Sequence, residues 1–106
     1  MPTKKKPLKA ENVLEMINKC LEEDKYTITT HAHIRQKERK INISEIVHVL
    51  KTGYEEKKKT CFDDKNNAWK YAIRGKTKID PLDVRVIVSF DDFEMLIITV
   101  MYIGGV

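Results

Sequence analysis

The apolar residues of this chain change their spacing halfway along, and that change limits what it can fold into. Between Val13 and Leu50 they recur every three or four residues, as on one side of a helix. From Tyr54 onward they alternate or run together, as in strands. Helices first and strands after argue for an α+β domain, with N-terminal helices packed on one face of an antiparallel sheet of three or four strands. A length of 106 residues with 42% hydrophobic content supports one core. Residues 10–106 are therefore read as one domain. Residues 1–9, rich in Lys and Pro, read as a disordered basic tail, either solubilising or a loose phosphate-binding arm.

Local signals place the elements. Leu14, Ile17 and Leu21, with Val13 beside them, form the apolar stripe of a first helix that begins near Ala10 and fades near Asp24. Residues 26–29, YTIT, are β-branched and aromatic, a short strand or an extended connector. Thr29 or Thr30 can cap a second helix. Asn42, with Glu45 three residues on, has the form of a reciprocal cap for a third helix, whose buried stripe reads as Ile43, Ile46, Val47 and Leu50. Gly53 stops it. Residues 54–62 read as a polar edge strand protected by Lys57, Lys58 and Lys59. Residues 68–75 and 84–90 alternate, and 93–103 are apolar on both faces, as in a central strand.

A net charge of +4 and a pI near 9.0 favour anionic partners such as nucleic acid. Cys20 and Cys61 have neither zinc-site spacing nor a disulfide framework. No apolar run reaches the roughly 18 residues of a membrane span. The expectation is a soluble protein of the cytoplasm that needs no cofactor.

Chemistry concentrates in the second helix. His31, Arg35 and Arg39 recur every four residues along one side. The positive end of a helix dipole and neighbouring guanidinium groups favour an uncharged imidazole, which can take a proton. Arginine supplies permanent charge and a donor fork suited to phosphate. Together these are parts for cleaving RNA without a metal: a base for the 2′-OH, cations for the developing phosphorane charge and an acid for the leaving 5′-oxygen. The plain alternative is that basic residues at helical spacing form a solvated face. His31 and His33 are too few for a metal site, and residues two apart on a helix do not face each other. On the sheet, Arg85 and Tyr102 are candidates to assist His31. Lys37, Lys70, Arg74 and Thr99 are candidates to bind RNA.

The pattern His31-Ala32-x-x-Arg35-x-x-x-Arg39-x-Ile41, the strand centred on Tyr71 and the closing Ile98-Thr99-Val100-x-Tyr102 resemble a family of small bacterial domains of unknown function. That family is often grouped with type II toxins of the MqsR and RelE kind, and its members often neighbour a zinc-finger antitoxin. The resemblance covers roughly residues 26–103. It implies a RelE-like fold and an mRNA endoribonuclease held in check by an antitoxin, with roles carried over to His31, Arg35, Arg39, Thr99 and Tyr102. One departure stands out, since the family usually has glycine where this chain has Lys40. Two other functions fit the same residues: a non-catalytic module that binds RNA or an acidic partner through the basic helix, and an adaptor that pairs its sheet edge near Tyr54 with a partner strand.

Overall fold

The computed structural model describes residues 7–79, 81–92 and 94–103. Helix α1 (Val13–Glu22) leads to strand β1 (Tyr26–Ile28), then to helices α2 (Thr30–Arg39) and α3 (Ile43–Thr52). Five strands follow: β2 (Tyr54–Glu55), β3 (Cys61–Asp63), β4 (Ala68–Lys76), β5 (Asp83–Phe90) and β6 (Met95–Tyr102). The expected α+β class holds. The sheet is larger than expected and not purely antiparallel, because its order is β1-β6-β5-β4-β2, β3 also pairs with β4, and β1 runs parallel to β6.

The register assigns the two faces. Val84, Val86 and Val88 lie beside Tyr102, Val100 and Ile97 on one face, with Tyr71 and Ile73 across from them. A β-bulge between Ile87 and Val88 of β5 pairs Val88 with Ile97 and Ile87 with Thr99, so Ile98 is the extra residue that keeps the apolar side chains of β6 on that face. There they form one core with Val13, Ile17 and Leu21 of α1 and Ile46, Val49 and Leu50 of α3. The other face carries Lys70, Ala72 and Arg74 of β4, Arg85 and Ile87 of β5, and Thr99 and Met101 of β6.

Three local expectations change. The buried stripe of α3 runs through Glu45, Ile46, Val49 and Leu50, while Ile43 is exposed and Val47 half-buried. The turn of the helix has a cause in Glu45. Asn42 does cap α3, accepting the Glu45 N–H at 2.9 Å, but the Glu45 carboxylate does not return the bond. It accepts instead from the backbone N–H groups of Lys78 and Ile79, at 2.9 and 3.3 Å, and those bonds hold the carboxyl below the usual carboxylate range. Gly53 ends α3 at a φ of −81°, so its value is not a left-handed turn. It is close approach: a Cβ there would stand 2.6 Å from the Val49 carbonyl oxygen and collide with the Arg74 carbonyl oxygen.

The expected strand over 54–62 is two short strands. Glu55 opposes Ile73 and Cys61 opposes Lys70, so six steps along one chain match three along the other. The surplus is a turn in which Lys59 N–H and Thr60 N–H both donate to the Glu56 carbonyl, at 2.9 and 3.1 Å. Lys57, Lys58 and Lys59 are exposed on it. Of the N-terminal tail, residues 1–6 lie outside the described residues. Pro7 and Ala10 rest on the sheet, where the Trp69 indole N–H donates to the Pro7 carbonyl and the Ala10 N–H donates to the Tyr71 hydroxyl, both at 2.8 Å.

Candidate nucleic-acid interface

Helix α2 begins where β1 ends, and Thr29 makes the join. Its N–H donates to the Ile97 carbonyl at 3.0 Å, which extends the β1–β6 pairing by one bond. Its side-chain oxygen accepts the Ala32 N–H at 3.2 Å, the cap that starts the helix, and lies 3.3 Å from the Ile98 carbonyl. Of the two candidate caps, Thr29 is the one used. From there α2 packs along β6. Ala32 is its one fully buried residue, at 0% exposure, so the helix meets the core through a methyl group and leaves most of its side chains in water.

The cations of α2 do not share one task. Arg39 turns to the sheet, and its guanidinium donates to the Val100 carbonyl at 2.6 Å. That satisfies an edge carbonyl of β6 beyond the reach of β1, a structural duty. Arg35 pairs with Glu38 at 3.0 Å, an exposed bridge one turn long, and such pairs contribute little. His31, His33 and Lys37 are exposed. Lys40 caps the helix in the left-handed region, at φ 54° and ψ 39°. That is the position where the family resemblance expects glycine, and the geometry explains the expectation, since glycine adopts this conformation without strain. Glu38 is the only acid of α2.

The open face of the sheet carries as many cations, all of them paired. The Arg85 guanidinium grips Glu56 with two bonds, Nε to Oε1 at 2.6 Å and Nη2 to Oε2 at 3.1 Å. The Arg85 hydrogen bond holds the Glu56 carboxyl below its usual range. Arg74 stands between Glu56 at 3.5 Å and Asp83 at 3.4 Å. Lys76 pairs with Asp83 at 3.5 Å and Lys70 with Asp63 at 3.6 Å. The side chains of Arg85 and Glu56 are only 15% and 13% exposed, so this pair is a feature of the interior as much as of the surface.

The candidates therefore fall into three groups. His31, Arg35, Lys37 and Arg39 ride on α2. Lys70, Arg74, Arg85 and Thr99 share the open face of the sheet. Tyr102 pairs with Val84 on the opposite face and is 37% exposed. Arg85 and Tyr102, both expected to assist His31, are separated by the thickness of the sheet, because Arg85 pairs with Met101 and Tyr102 with Val84. Sequence reasoning missed Glu56, the residue that organises the open face. Nothing in the run YEEKKK sets it apart from its neighbours.

Among the described residues no group of three or more His, Cys, Asp or Glu side chains is placed to hold a metal ion, and no helix is long and apolar enough to cross a membrane. No curated protein and no solved structure matches the chain. A family model does match, over residues 28–102, from the last residue of β1 through α2, α3 and the rest of the sheet. Its description is a domain of unknown function, and the match takes in the capped basic helix and both faces just described while leaving α1 outside. It spans well over half of the 106 residues, and the chain belongs to this family, DUF4258.

Proposed function

We propose that this protein acts on RNA through α2, as a metal-independent mRNA endoribonuclease of the MqsR and RelE toxin kind, restrained by an antitoxin. One observation carries the reading. Helix α2 touches the core through Ala32, is braced by Arg39, and holds His31 in solvent one turn before Arg35. His31 takes the proton from a ribose 2′-OH, the 2′-oxygen attacks the adjacent phosphorus, and the 5′-oxygen departs with a proton from a water molecule, to which the imidazolium then returns its own, leaving a 2′,3′-cyclic phosphate. Arg35 lies one turn along, and its exposed bridge to Glu38 yields to a phosphate at little cost. Arg39 positions the helix and does not touch the substrate. Arg85 and Tyr102 are left out of the reacting group, Arg85 because it is committed to Glu56 and Tyr102 because it lies on the far face.

The second reading is a non-catalytic RNA-binding module on the same helix. The separation of Arg85 from Tyr102 favours it, because it removes two groups expected to join His31 in one cleft. Expression of wild type and His31→Ala in bacteria, with growth and bulk mRNA followed over time, separates the two. Loss of both toxicity and mRNA decay in the variant supports cleavage. A variant that still binds RNA in a protein whose wild type leaves RNA intact establishes the binding module.

A further inference from the structure

Strand β4 extends past the end of its ladder with β5. That ladder spans Tyr71 to Lys76, while Ala68 to Lys70 pair with β3 on the opposite edge, in line with β2. Where the ladder stops, the end of β5 and the start of β4 part, and in place of a ladder bond the Ser89 hydroxyl donates to the Trp69 carbonyl at 2.7 Å. The parting opens a groove of about 740 Å³, a size typical of small-molecule sites. Trp69 and Phe90 give it aromatic surface, and Leu96 and Ile98 of β6 give it aliphatic surface. Trp69 is held in place, with its indole N–H on the Pro7 carbonyl and its ring edge-on to Phe62 at 5.4 Å between centroids.

Two features give this groove a chemical preference. Its polar rim includes Asp63 and Asp92. Asp63 is fixed by Asn66 at 2.6 Å and Lys70 at 3.6 Å, while Asp92 is exposed in the turn before β6. Carboxylates accept hydrogen bonds from exocyclic amino groups and repel carbonyl oxygens. The groove is also lined by Thr29, the N-cap of α2, so it opens beside the end of the helix that carries His31. A flat base seated in the groove leaves its phosphate near the N–H groups that begin α2, where anions are favoured.

We propose that this groove is a nucleobase pocket, selective for bases that carry an exocyclic amino group over uracil, and that it sets the register in which RNA meets α2. The inference rests on the RNA-binding reading of α2 and adds to it a preference that α2 alone does not give. Stacking on Trp69, with the Lys9 ammonium that now lies over its ring at 5.6 Å swung toward the phosphate, supplies affinity that any base can share. The carboxylates supply the discrimination, because uracil offers a carbonyl oxygen where cytosine offers an amino group.

Trp69 is the only tryptophan in the chain, so its emission reports on the groove directly. The experiment titrates the full-length protein with short oligomers of A, C and U that carry a fluorescent label. Label anisotropy reads binding anywhere, and Trp69 quenching reads occupancy of the groove. Oligo(A) and oligo(C) are expected to quench Trp69 with an affinity about tenfold above that of oligo(U). Asp92→Asn, at an exposed turn position, should narrow that gap, since an amide can donate to the uracil carbonyl. Anisotropy that rises while Trp69 emission stays constant overturns the pocket and leaves α2 as the RNA site. Equal quenching by all three oligomers overturns the selectivity, and no binding by either signal overturns both readings. A lysine-rich peptide that quenches Trp69 more strongly than any oligomer assigns the groove to a cationic side chain and ends the proposal.

Discussion

Helix α2 and the open face of the sheet carry similar numbers of cations and use them in opposite ways. On α2 and its cap stand Arg35, Lys37, Arg39 and Lys40 beside a single acid, Glu38, which bridges to Arg35 alone in an exposed pair, while Arg39 donates to the Val100 carbonyl. On the sheet, Lys70, Arg74, Lys76 and Arg85 meet Asp63, Glu56 and Asp83, and every one of them has a partner within 3.6 Å. The difference follows from burial. A guanidinium on a half-buried sheet face must be paired or lose much of its hydration, whereas a lysine on an exposed helix keeps its water. Counting basic residues along the chain cannot tell these cases apart. The helix has charge to offer a polyanion, and the sheet has already used its own.

The largest expected effect tests the helix alone. If α2 carries chemistry, His31→Ala should lower the rate of RNA cleavage by about 10²- to 10⁴-fold. His31 is exposed, so the melting temperature should move little. Arg85→Ala should behave in the reverse way, with a lower melting temperature and a cleavage rate near wild type under conditions where the variant is folded. A normal rate for His31→Ala, or a lost rate for a folded Arg85→Ala, would make the sheet the active region and invert the comparison.

The sheet has its own test. Replacing Glu56 with Gln removes the partner of a guanidinium that is only 15% exposed, which costs about 2 kcal/mol at neutral pH. The sign with pH is fixed by the direction of the shift. The folded-state pKa of Glu56 is depressed, so its contribution is present above the unfolded-state pKa and is lost as pH falls through the folded-state value. Wild type and Glu56→Gln should therefore converge in stability as the solution is acidified through that range. Denaturant titrations that keep the two apart at low pH would show that packing of the side chain, not its charge, was the cause.

Binding under varied salt sharpens the contrast further. Each lysine that contacts phosphate contributes about 0.7 to the slope of log affinity against log salt for single-stranded RNA. Lys37→Ala should flatten the slope by roughly that amount. Lys76→Ala should change it far less, because Lys76 is engaged with Asp83 at 3.5 Å. Equal changes for the two would mean that the ion pairs of the sheet open readily and that its face joins in binding.

Legibility in the sequence divides along the same line as the charges. The features of α2 depend on neighbours a few residues apart, and these could be read directly. The sequence narrows the cap to Thr29 or Thr30, of which Thr29 binds the Ala32 N–H, and the spacing of His31, Arg35 and Arg39 places them near one side. What Arg39 touches could not be read, since the Val100 carbonyl lies 61 residues away. The sheet depends on such distant contacts throughout. Glu56 and Arg85 are 29 residues apart, and the side on which Tyr102 falls was set by one extra residue, Ile98, at the bulge. Alternation correctly gave the faces within β4 and β5. It could not give the relation between β5 and β6, because a bulge shifts the phase by one residue and has no mark in a run as uniformly apolar as MLIITVMY.

Lys40 gives the smallest effect and the cleanest one. It ends α2 at a φ of 54°, a conformation in which a side chain crowds its own carbonyl. Its N–H bonds to the Gln36 and Lys37 carbonyls hold it there. Lys40→Gly removes the crowding and keeps both bonds, though it also frees the unfolded chain. The net gain should be about 0.5 kcal/mol, seen as a slight rise in melting temperature. The same substitution removes a cation from the end of α2, so RNA affinity should fall slightly as stability rises. A chain that bound RNA through the sheet would gain the stability without losing the affinity. Measuring both on one variant thus asks whether this position departs from glycine for the sake of its charge.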